Sequence, residues 1–202
     1  MIGLVANWQR PLALVLAAAF FCVGQFHLSD ALAQSAALAE KIQLCSACHG
    51  DDGNSKMEKI PSLAGQPAFF ILNQLFLMRE GVRKVEAMAP IVKDLKDDDL
   101  INLSQHFAAL APKRSDEAVD AALAKKGAEI ATQRRCISCH LPSLAGQEQI
   151  PRLARQRLDY LVTTLKSYRD SPRPGADTEM SAAIAFATDA DITALAHYAA
   201  SL

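Results

Sequence analysis

The chain has 202 residues, of which 21 are Lys or Arg, 22 are Asp or Glu and half are hydrophobic. This balance excludes a disordered tail, a collagen-like repeat and a polytopic membrane protein. The formal charge of −1 argues against a nucleic-acid binder, because neutralising phosphates requires a clustered excess of Lys and Arg. Aromatic residues make up only 6% of the chain, so large rings cannot supply most of a core.

Residues 1–33 have the pattern of a secretory signal peptide. Arg10 precedes an apolar run, and the stretch Ala31-Leu32-Ala33 supplies the small-x-small pattern that signal peptidase accepts. An uncleaved anchor helix fits less well, because polar residues interrupt the run before the roughly 20 apolar residues that a membrane span needs. We therefore expect cleavage before Gln34 and export to the bacterial periplasm.

The four cysteines beyond the signal lie in two C-x-x-C-H motifs, at residues 45–49 and 136–140. This motif is the attachment signature of c-type haem. Cysteines three apart on a helical turn lie on one face, so both thiols can add to the vinyl groups of one porphyrin. The adjacent His then offers a nitrogen to the iron. The sequence thus predicts two covalently bound haems, with four cysteines as attachment points and two histidines as iron ligands: Cys45, Cys48, Cys136 and Cys139, with His49 and His140.

Three other roles for the cysteines fit the sequence less well. A thioredoxin-type redox pair needs a surrounding βαβ pattern, which is not apparent near either motif. The two cysteine pairs are too far apart for a zinc ribbon or finger. Structural disulfides suit an oxidising compartment, but they give no role to a His that follows the second Cys in both motifs.

The chain contains an internal repeat. The segment Ile60-Pro61-x-Leu63-Ala64-x-Gln66 matches Ile150-Pro151-x-Leu153-Ala154-x-Gln156 at an offset of 90 residues. We therefore predict two homologous domains, residues 34–112 and 113–202, that meet near Pro112. Each would be built of short helices around its haem, which makes the fold class all-α.

Each half predicts the same three helices. The first helix carries the motif near its C-terminal end, and the middle helix has apolar residues at helical spacing. The last helix begins behind acidic residues, whose carboxylates stabilise the exposed amide groups and the positive dipole end of its first turn. The predicted ranges are 35–48, 67–80 and 100–110 in the first half, and 118–139, 156–170 and 192–202 in the second, with the acidic caps of the last helices at residues 97–99 and 188–191.

Met88 and Met180 are the predicted second axial ligands. They occupy matching positions of the repeat, in a predicted loop before the last helix, and a thioether binds ferrous iron well. The alternative is that each Met only fills core space. With two ligands on each iron, no position is left for a substrate, so the expected reaction is one-electron transfer.

Two further sets of residues have expected roles beside the haems. A carbonyl near Pro61 and one near Pro151 would accept the ring N–H of the ligating histidines. Four arginines that recur in pairs are candidates to bind haem propionates, although solvated helix faces explain them almost as well: Arg79, Arg83, Arg169 and Arg173.

With these motifs the chain resembles the class I cytochromes c, and specifically the two-haem bacterial cytochrome c4 family. The resemblance rests on the first C-x-x-C-H with Gly50, on the run from Pro61 to Gln66, on Met88, and on their repetition in the second half. Leu141 and Arg155 replace glycines of the first half. The resemblance implies two haems facing one another across a pseudo-twofold interface, with electrons delivered towards a terminal oxidase.

The leading hypothesis is therefore a periplasmic dihaem electron carrier that has no catalytic residues. Its expected partners are redox proteins (an oxidase, a cytochrome complex or a dehydrogenase), with no nucleic acid and no small-molecule substrate. A free carrier and one docked peripherally on the membrane both fit the sequence. The alternative is a dihaem electron-accepting subunit of a periplasmic dehydrogenase, such as a flavocytochrome c sulfide dehydrogenase. A third hypothesis, a dihaem peroxidase or thiosulfate-oxidising cytochrome, requires an iron with an open or different sixth position.

Overall fold

The computed structural model describes residues 34–172 and 174–202. The predicted signal peptide and Arg173 lie outside these residues. In the described part every regular element is a helix, and the only β-type pairing is an isolated bridge between Gln147 and Ile150. The all-α prediction is confirmed. None of the described helices combines the length and apolar character that crossing a membrane requires.

The helices follow a similar order in both halves. They are α1 (34–49), α2 (Ala68–Arg79), α3 (Ala89–Val92), α4 (Asp97–Ala109), α5 (Ala121–Gln133), α6 (Cys136–His140), α7 (Leu158–Asp170), α8 (Thr178–Ile184) and α9 (Asp189–Ser201). The order differs in that the second half has two helices, α5 and α6, where the first half has α1 alone. Residues 41–202 form one compact unit. The domain boundary near residue 112 stays a prediction.

The last helix of each half begins at the acidic residues that the sequence indicated. In α9, Thr188 Oγ1 accepts the backbone N–H of Asp191 at 3.1 Å, and the Asp191 carboxylate accepts the N–H of Thr188 at 3.0 Å. In α4, the Asp99 carboxylate accepts the N–H of Lys96 at 3.0 Å. These bonds satisfy amide groups that have no partner inside the helix.

The helix predicted over 118–139 is wrong as a single element. It starts at Ala121, where the Asp120 carboxylate accepts two backbone N–H groups, and it breaks after Gln133. Arg135 has a φ of +57°, a left-handed conformation that an α-helix cannot continue through. The Arg134 guanidinium donates to the carbonyls of Ala183 and Phe186, which holds the break against the segment before α9.

Helices α5 and α9 cross at close range in the second half. A Cβ atom at Gly127 of α5 would lie only 2.0 Å from the carbonyl oxygen of Ala194 in α9. Glycine is therefore required for the two backbones to approach this closely. Ile130 and Leu165 pack with Leu195 in the core beside this crossing, and α6 follows directly after α5.

Candidate haem sites

The cysteines of each motif differ in exposure in the same way. Cys45 is buried and Cys136 is half-buried, whereas Cys48 and Cys139 are exposed, and none of the four forms a disulfide. Burial raises the pKa of the Cys45 thiol and of the Cys136 thiol. Each motif therefore presents one inner and one outer sulfur from a single helical turn, as attachment to one porphyrin requires.

The two histidines are buried and held in the same way. His49 Nδ1 donates to the carbonyl oxygen of Pro61 at 2.8 Å, and His140 Nδ1 donates to that of Pro151 at 2.9 Å. Because a carbonyl can only accept, these bonds place the ring proton on Nδ1 and leave the Nε2 lone pair free. The predicted proline carbonyls are thus confirmed as partners of both histidines.

Burial also favours the neutral form of both rings. It lowers the pKa of His49 and of His140, against a smaller opposing effect of the proline carbonyls. An iron ligand must be a neutral imidazole with one free nitrogen. Both histidines meet that requirement.

The two methionines occupy comparable but not identical places. Met88 is half-buried and precedes α3, which packs against α2. Met180 lies inside α8 and not in a loop as predicted, because Asp177 caps this helix by accepting the N–H of Met180 at 3.0 Å. Met180 and Cys136, both predicted to contact the second haem, pack against the same core cluster.

The loop after the second motif keeps two backbone features of the first despite its different residues. Gly53 accepts the N–H groups of Leu63 and Ala64 through its carbonyl, and Leu144 does the same for the matching pair in the second half. Gly50 has a φ of +89° and Leu141, at the matching position, a φ of +68°. Leu141 and Leu144 therefore carry a backbone strain that the first half avoids with glycine.

The arginines divide by their partners. Arg79 pairs with Asp97 at 2.7 Å and Arg169 pairs with Asp189 at 2.8 Å, so both already have carboxylate partners. Arg83 donates to Gln74, and its buried Nε has no partner among the described atoms.

Arg152, which the sequence analysis did not single out, is the arginine best suited to a bound anion. It is only 4% exposed, and no carboxylate pairs with it in the part of the chain that the structure describes. Its two terminal nitrogens donate to the carbonyls of Ala154 and Ala64, but its Nε is buried without a partner. Burial, together with the nearby charge of Arg155, lowers its pKa to about 10.

A buried cation without a counter-charge is costly unless an anion joins it. The carboxylates of a haem supply such an anion. The orphaned Arg152 Nε and the two neutral histidines therefore fit a chain that holds haem. One sequence signal could have indicated Arg152: it stands where the first half has Ser62, in a segment that otherwise differs only where Arg155 replaces Gly65.

Comparison with known proteins shows which family the chain belongs to. The cytochrome c family model matches residues 124–202. The chain is 30% identical to cytochrome c4 of Pseudomonas aeruginosa over 195 residues, which cover 91% of this chain and 96% of that protein. The chain belongs to the cytochrome c4 family. The crystal structure of reduced recombinant cytochrome c4 from Pseudomonas stutzeri is similar with a TM-score of 0.75 and 31% identity, over 82% of this chain and 97% of that one.

Membership of the cytochrome c4 family confirms several predictions. The chain is a dihaem electron-transfer cytochrome and not an enzyme, with two covalently bound c-type haems and redox proteins as partners. The chain is also similar to a relative with a different name. The thiosulfate dehydrogenase electron acceptor of Thiomonas intermedia is 28% identical, over 77% of each chain.

Proposed function

We propose that the chain is a periplasmic carrier that passes single electrons through two haems, each ligated by one His and one Met. The proposed residues are Cys45, Cys48, His49 and Met88 for the first haem, and Cys136, Cys139, His140 and Met180 for the second. The observation that carries this proposal is the repeated histidine geometry. Each ring donates a hydrogen bond from Nδ1–H to a proline carbonyl, which leaves Nε2 available to bind iron.

A bound haem supplies a one-electron Fe(III)/Fe(II) couple. The chain's own residues determine that nothing else reacts there. A neutral imidazole and a thioether would together hold the iron and would leave no position on it for peroxide or another substrate. The buried histidines, oriented by hydrogen bonds to carbonyls, would keep the coordination the same in both oxidation states. Constant coordination keeps the reorganisation on electron transfer small.

Arg152 is proposed to pair with a haem propionate. Its burial and its unpartnered Nε favour this pairing, and a planar guanidinium suits a carboxylate. The contrast with Arg157 supports the assignment. Arg157 is equally buried but already pairs with Asp159 at 2.9 Å.

The proposed place in the cell and in electron flow rests on the N-terminal pattern and on the family. Residues 1–33 would direct export and be removed before Gln34, after which the carrier would take electrons from a respiratory donor and pass them to a terminal oxidase. Mass spectrometry of the mature protein tests the first step. A mature chain that retains residue 1 would contradict it.

A second candidate function is the electron-accepting partner of a periplasmic dehydrogenase. The similarity to the thiosulfate dehydrogenase electron acceptor of Thiomonas intermedia favours this candidate and suggests a sulfur-compound dehydrogenase as donor. Rapid mixing of the oxidised protein with a thiosulfate dehydrogenase and thiosulfate separates the two candidates. Haem reduction within a turnover supports the dehydrogenase partner, whereas reduction by a respiratory donor alone supports the first candidate.

An anaerobic redox titration with optical spectroscopy tests the ligand assignment. We expect two one-electron steps, a sulfur-to-iron charge-transfer band for both oxidised haems, and no binding of carbon monoxide to the native reduced protein. Met88→Ala and Met180→Ala should each lower the potential of one haem and open it to carbon monoxide. Met57→Ala, at an exposed methionine, is the matched control. Carbon monoxide binding to the wild-type protein would contradict the carrier function.

A further inference from the structure

Two glutamines at matching positions of the repeat cross between the two halves of the chain. Gln156 Oε1 accepts the backbone N–H of Ser62 at 2.7 Å, and Gln156 Nε2 donates to the carbonyl of Ser62 at 2.9 Å. Gln66 Oε1 accepts the N–H of Arg152 at 2.9 Å, and Gln66 Nε2 donates to the carbonyl of Arg152, also at 2.9 Å. Each side chain thus bonds both backbone polar groups of one residue in the other half.

The backbone that each glutamine binds is joined directly to the acceptor of a histidine. The N–H of Ser62 belongs to the same peptide group as the Pro61 carbonyl, which accepts the proton of His49. The N–H of Arg152 shares a peptide group with the Pro151 carbonyl in the same way, and that carbonyl accepts from His140. A short chain of two hydrogen bonds therefore runs from the glutamine of one half to the histidine of the other.

The orientation of both amides is determined by their partners. A backbone N–H can only donate and a backbone carbonyl can only accept, so the oxygen of each glutamine must face the N–H and the nitrogen the carbonyl. Gln66 is 4% exposed and Gln156 is 3% exposed. In such a dry environment hydrogen bonds polarise one another more strongly than they do in water.

We propose that Gln66 and Gln156 are positioning residues that tune the axial histidine, and hence the reduction potential, of the haem in the opposite half. This inference rests on the proposed function, in which His49 and His140 ligate the two irons. Each half thereby sets part of the potential of the other half's haem. The two haems are linked through the protein as well as through space.

The sign of the effect follows from the direction of polarisation. An amide oxygen bound to a peptide N–H draws electron density towards the carbonyl oxygen of that peptide, which strengthens the bond that this carbonyl accepts. A stronger bond from Nδ1–H makes the imidazole a better electron donor to iron. A better donor favours Fe(III), so each glutamine lowers the potential of the haem in the opposite half.

The test uses Gln156→Leu and Gln66→Leu in the full haem-loaded protein. Leucine retains much of the side-chain volume but removes both hydrogen bonds. In Gln156→Leu we expect the reduced-to-oxidised ratio of the first haem to rise two- to three-fold at a fixed applied potential. This is an upward shift of about 20–30 mV at about 59 mV per tenfold. The potential of the second haem should not change. In Gln66→Leu the potential of the second haem should rise by a similar amount, and that of the first haem should not change.

Two further measurements keep the test decisive. Met88→Ala and Met180→Ala assign each potential to its haem, and Gln105→Leu, on an exposed position of α4, is the matched control. In the reduced protein, the NMR signal of the axial histidine Nδ1–H should move upfield only in the half opposite the substitution. If the Leu variants do not fold, Gln156→Asn and Gln66→Asn shorten the side chain by one methylene and should show the same crossed pattern.

The possible outcomes separate the proposal from a structural role. A crossed shift of potential and of the Nδ1–H signal supports tuning across the interface. If the potentials of both haems shift together, the interface has loosened and the proposal is overturned. The proposal is also overturned if only the potential of the haem in the substituted half shifts, or if neither potential shifts. Failure of the proposed function is recognised separately, because the wild-type protein would then lack the sulfur-to-iron band.

Discussion

Replacing Gly127 by Ala should destabilise the second half more than any ordinary surface substitution. The added Cβ would lie 2.0 Å from the carbonyl oxygen of Ala194, 2.6 Å from its carbonyl carbon and 2.8 Å from the Cβ of Tyr198. The first two are backbone atoms of α9, which cannot rotate away as the end of a flexible side chain can. The optimal spacing of non-bonded carbon atoms is roughly 3.5–4.0 Å. To approach this spacing, helices α5 and α9 would have to separate by more than about 1 Å.

The magnitude follows from what this separation breaks. Overpacking a well-packed core costs about 1–3 kcal/mol and occasionally more, and a contact between two helix backbones falls at the upper end of that range. Ala194 and Ala196 are completely buried beside the crossing, so the gap also weakens their packing. We expect a loss of about 3 kcal/mol, which lowers the melting temperature by about 6–12 °C for a chain of this size.

Thermal unfolding of the haem-loaded protein, followed by far-UV circular dichroism, measures this loss. Gly81→Ala is the matched control: Gly81 has a φ of +69° and open space around its Cβ position, so it should lose only about 1 kcal/mol from backbone strain. Because α6 with the second C-x-x-C-H motif follows α5, absorbance of the second haem should change first. A Gly127→Ala protein that is as stable as Gly81→Ala would refute the close-crossing explanation.

Two further substitutions test charges near the proposed sites. Arg152→Leu removes the buried cation that we assign to a propionate, so the potential of a haem should become pH-dependent near neutral pH. Arg155→Leu, an exposed arginine three residues away, should not have this effect in redox titrations at several pH values. Asp52→Asn removes the carboxylate that Lys113 holds at a pKa of about 2. This value lies below the roughly 3.9 of an unfolded chain, so the stabilising contribution is present above about pH 4 and lost as the pH falls towards 2. Urea unfolding should show that the wild-type protein and Asp52→Asn differ at pH 7 and converge near pH 2; a difference that persists at pH 2 would contradict the prediction.

Some parts of the site could be predicted because they depend on short stretches of chain. The spacing of Cys45, Cys48 and His49 places all three on one helical turn whatever surrounds them. The prediction that carbonyls near Pro61 and Pro151 bind the histidines held for a similar reason. Both lie 11 or 12 residues beyond their histidine in equivalent loops.

Other features could not be predicted from local pattern. The break at Arg135 has no glycine or proline beside it in the sequence, and it is held by the contacts of Arg134 with carbonyls some 50 residues away. Met180 was expected in a loop, but it lies in a helix that Asp177 caps by accepting the backbone N–H of Met180. In both places, a few specific hydrogen bonds override the average tendency of the residues.

The sequence by itself determined that this protein carries two haem-attachment motifs, each with its adjacent histidine, in a repeated chain that is rich in helix formers. These features are local, since covalent attachment and helical spacing need only neighbouring residues. Only the tertiary structure decided which polar groups meet across the two halves. Gln66 bonds the backbone of Arg152 and Gln156 bonds that of Ser62 because packing brings together residues about 90 positions apart. The same packing buries Arg152.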